Sequence, residues 1–301
     1  MTKILNKKIA VIITAIFFTL NFNNVSAQEG LLDSLLDEDT GPAYTKATFK
    51  TSRIINGHSI ENAAAGVLDF RISHRFNTIE NGVYDIFGLD GATLRLGFEY
   101  GINDRLMAGV GRSTYQKTYD GFLKYKILRQ QTGKKNMPLS LSLFSSTTVS
   151  TLKWQYPDRK NYFTSRLAFC HQLLIARKFS SSTSIQLTPT VVHYNLVEKK
   201  EYKNDVFAIG IGGRQKLNKR VSINAEYFYV LPNQINKENT NSLSFGFDIE
   251  TGGHVFQLHF TNATAMIERG FIGETTGKWL DGAIRFGFNL SRVFTIVDKR
   301  H

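Results

Sequence analysis

Cysteine is nearly absent from this chain: Cys170 is alone among 301 residues. A single thiol cannot make an internal disulfide, so the fold is held together by other means. No Cys stands directly after the apolar run near the N-terminus, which argues against a lipoprotein anchor. Beyond that run, no stretch is long and apolar enough for a membrane helix. Any later membrane contact therefore requires a closed barrel, because lipid does not tolerate an open sheet edge. Continuous basic runs are missing too. The formal charge is +12, to which Lys3, Lys7 and Lys8 contribute, and the remaining basic residues are scattered over turns and one strand face. Anionic lipid headgroups or an anion-favouring lumen fit that scatter, and nucleic acid is not an expected partner.

Enzyme signatures are also lacking. Gly109-Val110-Gly111-Arg112-Ser113 and Gly210-Ile211-Gly212-Gly213 are similar to phosphate-loop fragments, but neither stands at a strand-to-helix transition. Glycine inside barrel strands more often relieves crowding. His74, His171 and His193 show no metal-ligand spacing. No Ser/His/acid set is recognisable, so no catalytic residue, metal or cofactor is expected. Cys170 reads as a small interior side chain.

What is present begins with a leader. Lys3, Lys7 and Lys8 precede the apolar run Ile9 to Leu20, and Val25-Ser26-Ala27 supplies small residues for cleavage after Ala27. Residues 1–27 therefore read as a secretory signal peptide. Residues 28–43 form an acidic, flexible leader, whose Leu31, Leu32, Leu35 and Leu36 share one helical face. Residues 44–301 make up the β-barrel domain, with 44–65 assigned to the periplasm or the lumen.

The dominant pattern from Tyr44 onward is period two. Leu94, Leu96, Phe98 and Tyr100 share one parity, and Thr93, Arg95, Gly97 and Glu99 the other. Such alternation predicts extended strands with unlike faces. Thirteen runs qualify: 46–55, 66–76, 92–101, 104–113, 118–128, 138–150, 163–176, 181–194, 204–216, 219–230, 242–251, 254–263 and 281–297. Each has about the length of a tilted strand crossing a bilayer. Single-chain bacterial barrels have an even number of strands. Setting 46–55 aside places every tight turn (Gly101 to Asp104, Phe179 to Ser182, Leu217 to Lys219, Thr251 to Gly253) on one side. The fold class is thus all-β: an antiparallel transmembrane β-barrel of about twelve strands, with fourteen also possible, short periplasmic turns and longer external loops. The connection 129–137 is long for a periplasmic turn. Pro189 predicts a bulge or local defect. The connection 264–280 is too apolar for a solvated loop and is expected to fold over the barrel mouth or into it.

If the apolar parity meets lipid, the polar parity lines the interior. The lumenal candidates are Arg71, Arg75, Arg95, Glu99, Arg105, Lys124, Arg166, Arg214, Glu226, Asp248 and Arg285. Their mixed signs allow two outcomes: a paired polar filling that rigidifies the barrel, or a basic constriction that favours anions.

Four blocks carry a family resemblance. They are Thr48-Phe49-Lys50-Thr51-Ser52-Arg53-Ile54-Ile55-Asn56-Gly57-His58-Ser59, Arg71-Ile72-Ser73-His74-Arg75-Phe76, Phe87-Gly88-Leu89-Asp90-Gly91-Ala92, and Gly109 to Lys126. Together they resemble an uncharacterised β-barrel family of the Bacteroidetes group, known only as a domain of unknown function. The resemblance implies an outer-membrane-type barrel and supplies no substrate, cofactor or catalytic residue. Its polar positions Arg53, His58, Asp90, Arg112 and Asp120 are candidates for a lumenal or loop site. The expected function is an outer-membrane barrel acting as a narrow channel or binder for small polar or anionic solutes. The alternative is a structural or docking barrel in which 28–43 or 264–280 holds an envelope partner. A third reading is a lipase-like outer-membrane enzyme.

Overall fold

The computed structural model describes residues 43–133, 136–251 and 254–297. The expected signal peptide, and the leader up to residue 42, lie outside them. Twelve of the strands in the described residues form the barrel: β1 (Val67–Thr78), β2 (Ala92–Gly101), β3 (Leu106–Ser113), β4 (Thr118–Leu128), β5 (Ser140–Ser150), β6 (Leu167–Lys178), β7 (Thr183–Tyr194), β8 (Asp205–Lys216), β9 (Val221–Val230), β10 (Ser242–Thr251), β11 (His254–Thr261) and β12 (Arg285–Thr295). Each pairs antiparallel with the next, and β12 returns to β1 with Thr295 opposite Val67, closing a barrel. Closure leaves no strand edge unpaired in lipid.

Period-two patterning decides which side chain faces where. In β2, Arg95 and Glu99 are buried inside, whereas Leu96 and Phe98 between them are exposed outside. Outward aromatics meet across strands: Phe70 and Phe98 lie 5.1 Å apart, Phe245 and Phe260 5.9 Å, and Phe76 and Phe286 5.8 Å. Such pairs stabilise adjacent strands while presenting an apolar band to lipid.

Long connections 79–91, 151–166, 195–204, 231–241 and 262–284 gather at one end, and short turns at the other. Two connections break this pattern. Residues 114–117 make a tight turn at the long-loop end, and 129–139 make a longer one at the short-turn end. The second has a structural reason. Gln131 and Thr132 pair with Tyr44 and Ala43, and the Arg129 guanidinium lies 4.1 Å from the Tyr44 ring. This turn anchors the incoming N-terminal segment.

The run 46–55 is not a strand. Its backbone is irregular, with one isolated bridge between Arg53 and His58. Ile54 and Ile55 are consecutive yet both buried, which a two-faced strand does not provide. Residues 45–66 instead enter the barrel. Residues 262–284 close the opposite end, carrying the short helix α1 (Glu268–Gly273). At Pro189 the defect is mild. The β6–β7 ladder lapses between Gln172↔Thr190 and Ile175↔Leu187 and resumes in the same register, without a bulge. The missing proline N–H accounts for the lapse.

The outer face makes a direct prediction. Val110 is 60% exposed at the middle of β3. Val110→Arg should cost about 2–4 kcal/mol of folding stability in a lipid bilayer, measured by denaturant titration from vesicles. A neutral effect would contradict lipid contact there.

Candidate functional site in the barrel lumen

The lumenal wall has an apolar side and a polar side, and the inserted segment matches both. Met107, Phe122, Phe144, Leu174 and Ala176 point inward from β3 to β6 and pack around Phe49, Ile54 and Ile60. Inward glycines make room for this packing. A Cβ at Gly212 would lie 2.4 Å from Ile54 Cδ1, and one at Gly109 would lie 2.3 Å from the Phe122 ring.

On the polar side, wall side chains serve the main chain of the inserted segment. The Glu226 carboxylate on β9 accepts the backbone N–H groups of Ile55 (3.2 Å), Asn56 (2.7 Å) and Gly57 (3.1 Å). Lys124 Nζ on β4 donates to the carbonyls of Glu61 (2.5 Å), Ser59 (3.1 Å) and Ser52 (3.4 Å). Gln257 donates to the Ile54 carbonyl at 2.5 Å, Asn289 to Ile55 at 3.1 Å and Gln186 to His58 at 2.8 Å. Arg75 donates to the Asn56 side-chain oxygen at 2.6 Å, and Asn56 donates onward to Ser244 at 2.8 Å. Charge-assisted bonds of this kind contribute about 1.5–3 kcal/mol each.

A buried ionic cluster lies beside this latch. Glu99 accepts from Ser52 Oγ and has Arg53 Nε at 3.5 Å and Arg71 Nε at 3.9 Å. Arg71 also reaches Asp69 at 3.2 Å. Arg95 holds Asp120 in a two-point contact, Nε to Oδ1 at 2.9 Å and Nη2 to Oδ2 at 2.5 Å. Charges buried this deeply persist only when paired. Arg53 also donates to Glu268 of α1 at 3.1 Å, which ties the inserted segment to the long loop above it. Burial raises the Glu268 carboxyl above its ordinary range, and Arg53 opposes that rise. His58 lies 3.7 Å from Glu268 and packs on the Phe122 and Phe144 rings. Burial and then Arg53 hold its imidazole well below its ordinary value, so it is neutral at pH 7.

Loop 262–284 seals the other end by the same rules. Ala263, Phe271 and Ile272 are buried against Cys170, Val192, Val206, Ala208, Phe228 and Val230. The Phe228 and Phe271 ring centroids are 5.0 Å apart. Cys170 is thus an inward, buried side chain within this cluster.

The sequence-predicted residues distribute unevenly. Arg71, Arg75, Arg95, Glu99, Lys124, Glu226 and Asp248 converge in the lumen, all buried. Arg53, His58 and Asp120, candidates for a lumenal or loop site, are buried there too. Arg214 is half-buried and donates to the Ala47 carbonyl at 3.3 Å. Arg105 is not lumenal: it sits exposed in a short turn and donates to the Ile127 carbonyl at 3.0 Å. Arg166 precedes β6 at the long-loop end, stacked 3.7 Å from the Trp154 ring. Arg285 stands at the start of β12 on the same rim, bonded to the Phe76 carbonyl at 3.3 Å. In these three, position at a strand end overrides parity. Asp90 is exposed in its loop, and Arg112 is exposed on the outer face, 5.3 Å from the Tyr119 ring.

Sequence reasoning missed the neutral partners Ser52, Asn56, Gln186, Gln257 and Asn289, and the inward aromatics. One signal was available. Phe122 shares the parity of Lys124, so an aromatic on the polar face requires something inside to pack against. His171 is outward, with its Nδ1 2.9 Å from Ser145 Oγ on the next strand.

The family described as "Membrane bound beta barrel domain (DUF5777)" matches residues 49–294. No curated protein matches the chain. Among solved structures it is similar to the NanC porin, with TM-score 0.47 and 8% identity over 76% of this chain and 100% of that one. It is also similar to an outer membrane channel from Pseudomonas putida F1, with TM-score 0.46 and 15% identity over 78% and 98%. The KdgM porin gives TM-score 0.43 and 10% identity over 76% and 99%.

The latch is open to test. Glu226→Gln keeps the shape and removes the charge, so hydrogen exchange at Ile55, Asn56 and Gly57 should speed up by about ten-fold or more while barrel amides keep their protection. Unchanged exchange at those three amides would show that Glu226 does not hold the segment.

Proposed function

This chain belongs to that family of membrane-bound β-barrel domains, and from that premise we propose a plugged outer-membrane barrel that binds or docks rather than conducting through a standing pore. One observation carries the reading. Glu226 and Lys124, the charges best placed to contact a passing solute, bond to main-chain groups of the protein's own inserted segment. Other basic side chains of the bore are engaged too: Arg95 with Asp120, Arg71 with Asp69, Arg53 with Glu268, and Arg75 with the side-chain oxygens of Asn56 and Asn289. A constriction that favours anions needs cations free to meet a solute, so a narrow anion channel is the weaker reading.

The segment is fixed at both ends. Ala43 and Tyr44 pair with the turn at 131–132, and Gly66 leads directly into β1. A strap anchored twice is a permanent part of the wall. In the outer membrane, short turns face the periplasm and long loops face outward. The sealed, loop-rich end is then the surface offered to the outside, and the apolar band contacts lipid. The role is non-enzymatic.

Planar-bilayer recording tests this. The refolded wild type should show no steady conductance, whereas Glu226→Gln combined with Lys124→Met should produce openings as the segment loosens. A stable ohmic conductance in the wild type would overturn the reading.

A further inference from the structure

The long-loop end carries a cavity of about 370 Å³, walled by loops 195–204 and 231–241, with α1 and Gln116 at its base. We propose that this cavity binds a neutral, polyhydroxylated solute, such as the end of a glycan chain. Its volume falls in the range of about 300–1,000 Å³ typical of small-molecule sites. Phe271 and Ile272 of α1 are fully buried in the apolar cluster that fills the bore at this end.

The base is built and rigid. Arg269 Nε donates to Glu274 Oε1 at 2.9 Å, and Arg269 Nη2 donates to Gln116 Oε1 at 3.1 Å. Gln116 Nε2 returns a bond to Glu274 Oε2 at 3.2 Å, completing a three-residue ring. The Tyr194 hydroxyl donates to the Arg269 carbonyl at 2.8 Å, and Asn239 donates to the Gly273 carbonyl at 2.7 Å. Gln116 and Lys117 adopt φ of 51° and 46°, a left-handed conformation unfavourable for side-chain-bearing residues. Such strain is kept where surrounding structure holds a geometry in place. Here it sets the Gln116 amide against α1.

The lining selects the ligand class. Asn236, Asn239 and Gln116 supply amides, which both donate and accept, as sugar hydroxyls do. Tyr202 and Ile235 line the cavity with apolar surface against which a sugar ring can lie. The charges are Lys203 and Arg269 against Glu198, Glu238 and Glu274, with Arg269 already paired to Glu274. These charges nearly cancel and leave no cluster of one sign to hold an ionised solute, so the neutral class is favoured. This site stands on the outer loops and does not depend on whether the lumen conducts.

The test is retention of the folded full-length protein on an immobilised panel. The panel holds neutral glycans ending in glucose, galactose, mannose or N-acetylglucosamine, beside uronate-bearing and sialylated glycans. At least one neutral class should be retained, and Asn236→Ala and Tyr202→Ala should each weaken that retention by about ten-fold. Both substitutions are in surface loops, and heat-modifiable gel mobility checks that each variant keeps its barrel. Preferential retention on acidic glycans would overturn the proposal. So would retention on neutral glycans that Asn236→Ala and Tyr202→Ala leave unchanged, or no retention on any neutral glycan.

Discussion

A backbone carried into a barrel must find partners for its N–H and C=O groups, and no strand edge is free to supply them. That constraint governs the whole interior. The twelve strands satisfy one another by closing, so apart from a few main-chain bonds, such as Ile54 N–H to the Gly57 carbonyl and Ser59 N–H to the Ser52 carbonyl, side chains serve residues 45–66. Glu226 takes three donors, Lys124 reaches three acceptors, and Gln186, Gln257 and Asn289 each cover one carbonyl. An orphaned buried amide or carbonyl costs on the order of 1–3 kcal/mol. Removing one wall residue therefore leaves a main-chain group stranded as well as losing a bond. The polar wall is matched to its own chain, and the apolar wall from Met107 to Leu174 supplies the packing that seats it.

The same logic joins the two ends of the molecule. Arg53 lies between Glu99 of the wall and Glu268 of α1, so one guanidinium contacts the inserted segment's surroundings on both sides. His58, neutral and packed against the Phe122 and Phe144 rings, fills the space beside that contact without adding charge. Inner strap and outer loop thus meet in the middle of the bore. The arrangement accounts for an interior that is both densely charged and closed. The ions are either paired, as Arg95 is with Asp120, or bonded to main-chain and amide groups, as Glu226, Lys124 and Arg75 are.

Much of the architecture was legible in the residue order. The alternation in Leu94 to Tyr100 and its repeats told strand from helix, and turn composition told one barrel end from the other. Neither required knowledge of distant contacts. The content of the lumen was far less legible. Parity places Arg95 inward, but it does not say whether its partner is a solute or Asp120. The run 46–55 resembles a strand in composition, yet Ile54, Ile55 and Asn56 each find partners on different strands far along the chain. Arg105 and Arg166 show the other limit. Parity loses its meaning at a strand end, where the chain turns and the side chain lies along the rim. Phe122, an aromatic among polar neighbours, was the one local trace of an occupied bore.

The central claim is that residues 45–66 fill the barrel. Labelling with a water-soluble maleimide tests it most directly, using a Cys170→Ala chain that carries a single cysteine at position 55, where the native Ile55 is 1% exposed. In intact outer membranes that thiol should stay unlabelled until the protein is unfolded. Rapid labelling in the folded protein would place the segment in water and contradict the account.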